Sequence, residues 1–299
     1  MRSSRTLFLR LGLAGGTILG VVAAWPSTSQ AGDPFVAGEP STRVIAAPTD
    51  QLDRAAAHAR GLAAALGLPG VSRQAARVDD RFEHRTYDEV TAFDAAGRAV
   101  AITRFDLDGT VALAVTLGWR PVIAHGIDAP AATRIAGGLV RAAGLVPSGT
   151  PVARESAGAG GWSISWARVV AGAVVRGDGI RISLWPDGSF HGLTRTERTL
   201  AAVPTMRIGR AQSVATARRV IDDAFRGAAP SLRSTAVDAA WVAANDMFGA
   251  TGLDAAAETL RLAWVVRFDA IGALAERLHA VEVWIDAADG HLLGGDVAE

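Results

Sequence analysis

An α+β architecture of repeated units, each a single helix packed on a short antiparallel β-meander, is expected from three observations. Ala-rich helical segments recur three times after residue 48, and each stops at a Gly with a Pro close behind: Gly67-Leu68-Pro69, Gly144 before Pro147, and Gly227 before Pro230. Strand-like runs follow each helix. Each unit then closes on an Asp-Gly turn, at Asp108-Gly109, Asp187-Gly188 and Asp289-Gly290, a pair that tolerates the positive φ of tight hairpins. Hairpin turns rather than crossover helices join the strands, so antiparallel pairing is expected.

Residues 1–31 read as an export signal. Arg2 and Arg5 precede an apolar run from Leu11 to Ala24, and Ser29-Gln30-Ala31 places small residues where a signal peptidase cuts. The run is shorter than the roughly 20 residues a membrane-spanning helix needs, so no stable span is expected after cleavage. Ser4 to Arg10 resembles a twin-arginine motif, with Thr6 in place of the second Arg. Residues 32–48, with Pro34, Pro40 and Pro48 among small residues, read as a flexible linker.

The first unit spans residues 49–120. Its helix runs from Asp50 to Leu66, capped by Thr49 or Asp50, with Leu52, Ala55, Ala59, Leu62 and Leu66 on one face. Strands are expected at Arg81 to Phe93, Ala99 to Phe105 and Thr110 to Trp119. The second unit, residues 126–199, opens on Ile127-Asp128-Ala129-Pro130, a cap with Pro in the first turn. Its helix buries Ile135, Leu139, Val140 and Ala143. Its strands are Trp162 to Val170, Ala173 to Val175, Ile180 to Trp185 and Ser189 to Leu193. The third unit, residues 205–296, has a helix from Gly209 to Arg226 and strands at Ala236 to Ala243, Leu260 to Phe268, Ala280 to Ile285 and His291 to Leu293. Met247 to Glu258 reads as an insertion in a hairpin. One helix on one meander buries a single face, so neighbouring units are expected to share cores or continue a sheet.

The segments Ile208 to Phe225, Leu260 to Phe268 and Val281 to Gly295 together resemble a PepSY domain, and Ile285-Asp286-Ala287-Ala288-Asp289-Gly290-His291-Leu292 matches that family's hairpin. The stretch Val169 to Leu193 is similar to the propeptide modules that precede thermolysin-like peptidases. The resemblance implies a PepSY-like, non-catalytic extracytoplasmic module. It further implies that the module inhibits or assists a peptidase or another envelope protein. No peptidase domain or His-Glu-x-x-His is present, so the partner is expected to be a separate protein.

Composition narrows the alternatives. The chain has no Cys, and its 30 basic residues, all Arg, balance 30 acidic ones. Disulfides and a lipid-attachment Cys are excluded, and a neutral chain without a basic run offers nothing for phosphate backbones, so nucleic acid is not an expected partner. A composition that is 49% hydrophobic supplies the cores that must hold a Cys-free chain together.

One motif competes with the binding reading. Phe105-Asp106-Leu107-Asp108-Gly109-Thr110-Val111 matches the first motif of haloacid-dehalogenase-type phosphatases, in which Asp106 would be the nucleophile, Asp108 the acid/base, and Mg²⁺ would screen the pair. That chemistry needs a parallel strand feeding a helix and a later Lys or Arg with an acidic pair. Val111 to Leu117 instead alternates like a returning strand, and Asp222-Asp223 falls inside a helix. The six His residues (58, 84, 125, 191, 279, 291) show no metal-ligand spacing, Ser189 lies in the wrong place for a nucleophile elbow, and Arg176-Gly177-Asp178 reads as a connecting turn. Trp162, Trp166, Trp185, Trp241, Trp264 and Trp284 all fall on expected strands, as core residues or else as an aromatic binding surface. No catalytic, cofactor or metal residue is assigned. The expectation is an exported, non-enzymatic module, periplasmic or extracellular, whose partner is a protein, with a metal-dependent phosphatase and a structural envelope spacer as the alternatives.

Overall fold

The computed structural model describes residues 42–80, 85–118, 126–156, 161–250 and 259–298. The expected export signal lies outside them, as do most of the expected linker, His84, His125, Trp119 and most of the expected insertion at 247–258. A short strand β1 (Thr42–Ile45) leads into helix α1 (Thr49–Leu66), so the end of the expected flexible linker is ordered sheet edge. Four strands follow: β2 (Ser72–Asp80), β3 (Arg85–Phe93), β4 (Ala99–Phe105) and β5 (Val111–Thr116). Helix α2 (Ala129–Ala142) precedes β6 (Val152–Glu155), β7 (Trp162–Val170), β8 (Ala173–Leu184) and β9 (Phe190–Thr196). Helix α3 (Arg210–Phe225) is followed by β10 (Leu232–Val242), β11 (Arg261–Ala270), β12 (Ala280–Asp286) and β13 (Leu292–Ala298).

These strands correct the expected architecture. Rather than repeated helix-on-meander units, all 13 strands belong to one mixed sheet whose main path runs β1-β2-β3-β4-β5-β9-β8-β10-β11-β12-β13, with β6 and β7 branching off β8. The first meander continues into the second through antiparallel pairing of β5 with β9, Leu113 opposite Thr194. The second joins the last four strands through a parallel pairing of β8 with β10, Val174 and Val175 opposite Ala240 and Trp241. A continued sheet is among the sequence expectations, but these particular pairings are not, because contacts two or three residues long leave no local pattern.

The cores follow the sheet. Helices α1 and α2 pack side by side into one core, where Ala59, Leu62 and Leu66 meet Ala132, Ala136 and Val140 over Val90, Ala114, Ile164, Ile182 and Leu193. Helix α3 has its own core through Ala217 and Ile221 against Val266, Phe268, Val283 and Ile285. A third cluster fills the junction, with Trp241 fully buried among Val175, Leu260 and Leu262. The Trp241 indole N–H donates to the Val170 carbonyl at 3.1 Å, tying β10 to the end of β7.

Helix starts are set locally. Asp128 caps α2 by accepting from the Ala131 N–H at 2.8 Å. Helix α1 is capped by Pro48 without a side-chain bond, rather than by Thr49 or Asp50. Two indoles hold the segments entering the other helices: Trp162 donates to the Ile127 carbonyl at 2.8 Å, and Trp264 to the Ile208 carbonyl at 2.7 Å. Those isoleucines cover the closing turns, for a Cβ on Gly188 would lie 3.1 Å from Ile127 and one on Gly290 would lie 3.2 Å from Ile208.

Strand β8 serves both halves because it bends. Its first residues sit between β7 and β10, and its last between β7 and β9. Gly177 (φ 76°) and Gly179 (φ 133°) occupy the bend, beside a register shift between Ala167 and Arg168 of β7. Ion pairs run along the same region: Arg85–Asp106 and Asp106–Arg195 at 2.9 Å, Arg195–Glu197, Glu197–Arg168 at 3.2 Å and Arg168–Asp178 at 3.3 Å. Arg176 extends the pairing to Glu282 on β12.

The sheet edge at β13 is closed by a side chain. Asn245 donates through Nδ2 to the Gly295 carbonyl at 2.8 Å and accepts from the Gly295 N–H at 3.0 Å, while its own N–H donates to Leu293 O at 2.9 Å. An Asn amide thus takes the place of a further strand, which protects the edge against pairing with another chain. The edges at β1 and β6 are protected by shortness, each being four residues long.

Candidate functional site

Four elements converge on a cleft of about 540 Å³. Its walls are the last turn of α1 with Gly67 and Pro69, the segment Thr116 to Gly118 leaving β5, Ile135 and Leu139 of α2, and the β8–β9 turn with Trp185, Gly188, Ser189 and Phe190. The cleft exists because α1 stops where it does: Gly67 adopts φ 70° and turns the chain away. On the other side the β8–β9 turn is pinned, Trp185 N donating to Ser189 O and Gly188 N to Trp185 O, both at 2.9 Å. Gly188 has to be glycine here, since a Cβ would lie 3.0 Å from the Ile135 methyl and its φ is 83°.

Behind the wall, the Trp185 ring lies 4.2 Å from the His191 imidazole. Burial pushes the His191 pKa below its ordinary value of 6.5, because desolvation disfavours the charged ring. The folded protein therefore binds fewer protons near that pH than the unfolded chain. The stability this group contributes is complete above 6.5 and is lost as the pH falls through the lowered folded value. The thermal midpoint should drop between pH 7 and 5, with a smaller drop in His191→Gln. An identical slope in the variant would rule out His191 as the source.

The phosphatase-like motif is a hairpin. Strands β4 and β5 are antiparallel, with Phe105 opposite Val111, and Asp106 N donates to Thr110 O at 2.8 Å across the turn. Both Asp106 oxygens are taken by guanidinium groups, Oδ1 by Arg85 and Oδ2 by Arg195, each at 2.9 Å. Asp108 accepts from the Thr110 N–H at 2.8 Å, and Thr110 holds its carboxyl below the usual carboxylate range, the wrong direction for a general acid. Asp187 accepts from Ser189 N at 2.9 Å and Asp289 from His291 N at 3.0 Å in the same way. Gly109, Gly188 and Gly290 share φ between 80° and 86°. These aspartates shape turns.

The other singled-out residues disperse. Among the described residues no three His, Asp or Glu side chains come together as a metal site. His58 stacks on Phe105 at 4.7 Å, His291 meets Asp289 at 3.2 Å, and His279 is exposed. Asp222 pairs with Arg218 along α3 at 2.9 Å. The Asp178 side chain is fully buried, so Arg176-Gly177-Asp178 presents no acidic group to a receptor. Trp166, Trp185, Trp241 and Trp284 are buried and Trp162 and Trp264 half-buried. Trp185 belongs to the core and to the cleft wall at once.

No family model matches the chain, and no curated protein matches it. Among solved structures, it is similar to the Bacillus megaterium YpeB C-terminal domain, at 14% identity and a TM-score of 0.48, over 86% of this chain and 99% of that one. At that overlap the likeness says nothing about function. No helix among the described residues is long and apolar enough to cross a membrane.

Sequence reasoning did not find the cleft. Its residues come from four separated segments, and although the helix stop at Gly67 and Pro69, Leu139 and the closing turn beside Trp185 each carried a local signal, nothing in the sequence brought them together. Ile135, expected in the core, stands 36% exposed at the cleft instead.

Proposed function

We propose that this chain is an exported, non-catalytic binding module that engages a protein partner, a peptidase among the candidates, through the cleft between α1, α2 and the β8–β9 turn. The cleft carries the reading. It is large enough for a ligand group, none of the described residues lining it is charged, and the aspartates that suggested chemistry are committed to turns and ion pairs. The resemblance to propeptide modules supplies the class of partner. Pairing through an edge is the poorer route, since the β13 edge is occupied by Asn245.

The purified chain is to be added to a secreted thermolysin-type peptidase, following hydrolysis of a fluorogenic peptide and recovery of the peptidase after denaturation. The expected result is a change in one of the two that Ile135→Arg abolishes. No effect on either would overturn the reading. Phosphate release in the presence of Mg²⁺ that disappears in Asp106→Asn would overturn its non-catalytic part.

A further inference from the structure

The groups that close the edge at β13 stand in for a strand, one bond at a time. The polar groups that face away from β12 include the Leu293 carbonyl, the N–H and carbonyl of Gly295, and the Val297 N–H. Asn245 takes the first three, through its own N–H at 2.9 Å and its side-chain amide at 3.0 and 2.8 Å. The fourth donates to the Asp296 carboxylate at 2.8 Å. The sequence leaves room for this arrangement: a Cβ on Gly294 would run into the Asn245 amide, and one on Gly295 into the Phe248 ring. Phe248 reaches that place at φ 58° and ψ 21°, a left-handed conformation that bulky L-residues rarely adopt. The closing segment is held against its own backbone preference.

Two copies of this edge are complementary. Antiparallel pairing of β13 with β13 of a second copy, centred on Gly295, sets Gly295 opposite Gly295 and Leu293 opposite Val297. Residues paired in this way exchange N–H···O bonds at alternate positions. Such a ladder calls on the Gly295 N–H and carbonyl, the Leu293 carbonyl and the Val297 N–H, the four groups that Asn245 and Asp296 now occupy. Asp296 falls opposite Gly294, so no like charges meet across the pair. We infer that Asn245 to Gly249 is an autoinhibitory latch, and that β13 pairs with β13 of a second copy about a two-fold axis when the latch lifts. The cleft takes no part in this, being built from α1, α2, the end of β5 and the β8–β9 turn.

Light scattering on the full chain, with circular dichroism to check folding, tests it. Asn245→Ala and the bulkier Asn245→Leu each delete both amide bonds, and each should double the wild-type mass. Adding Val297→Pro removes a donor that the pairing needs, at an edge position where Pro is tolerated because its nitrogen faces away from β12. The mass should then return to the wild-type value. An unchanged mass in the single variants that fold would overturn the inference. So would a doubled mass that survives Val297→Pro, since the contact would then lie elsewhere. Failure of both single variants to fold would also overturn it, because Asn245 would then belong to the fold and not to a latch.

Discussion

Gly179→Ala should be among the most damaging single methyl additions in this chain. A Cβ at residue 179 would fall on the carbonyl oxygen of Trp166 and lie 3.0 Å from Arg168 N and 3.1 Å from Ala167 Cα, all backbone atoms of the neighbouring strand. No side-chain rotation relieves such a contact, and the backbone at φ 133° is one that L-residues rarely adopt. Strain of this kind together with displacement of β7 costs on the order of 3 kcal/mol or more. That corresponds to roughly 6–12 °C in the thermal midpoint of a domain this large. Gly109→Ala is the control, because φ is 86° there but nothing lies within 4 Å of the added carbon. It should lose only about 1–2 kcal/mol. Thermal unfolding of the two variants side by side decides the matter, and equal losses would mean that β7 and β8 are not packed as described.

Asp178→Asn should come next. The carboxylate is fully buried and accepts three donors: Arg198 Nε and the Arg198 backbone N–H, both at 2.7 Å, and Arg168 Nη1 at 3.3 Å. An amide of the same shape cannot accept from all three without turning its NH₂ group toward a guanidinium. Arg198 would then lose its buried counter-ion and Arg168 would keep only the more exposed Glu197, a defect that costs about 3 kcal/mol. Because the carboxylate is shielded from solvent, the loss should persist in 0.5 M salt, unlike that of an exposed pair. Denaturant unfolding at low and high salt measures both, and a loss that vanished with salt would count against a buried pair.

The helices and hairpins were legible because their signals are local. Apolar residues at helical spacing placed α1 within one residue of its observed start, and Asp-Gly pairs located the closing turns. Strand β2 was not legible. Ser72 to Asp80 is mostly polar, and its inward-facing Arg77 is acceptable only because Asp88 and Gln51 meet it at 2.8 and 2.6 Å, partners a linear pattern does not show. The recurrence of Asp-Gly pointed to a hairpin turn at Asp108, which the pairing of β4 with β5 shows, but it could not reveal that Arg85 and Arg195 claim Asp106. The expectation of repeated helix-on-meander units failed at strand ends, where the meanders merge into one mixed sheet. Whether β5 meets β9, or β8 meets β10, depends on which edges remain free after each hairpin closes, and the composition of the strands does not encode that.

The bent strand β8 also fixes an order of events as the chain is made. It leaves the ribosome before β10 exists, and can complete the sheet of α1 and α2 using β7 and β9 alone. Its first three residues then wait as an unfinished border, open to any extended segment. Residues 240 and 241 arrive later and seal that border, with the Trp241 ring as the stopper. A nascent chain stalled before residue 240 should therefore be prone to self-association, and one released just beyond β10 should be far less so.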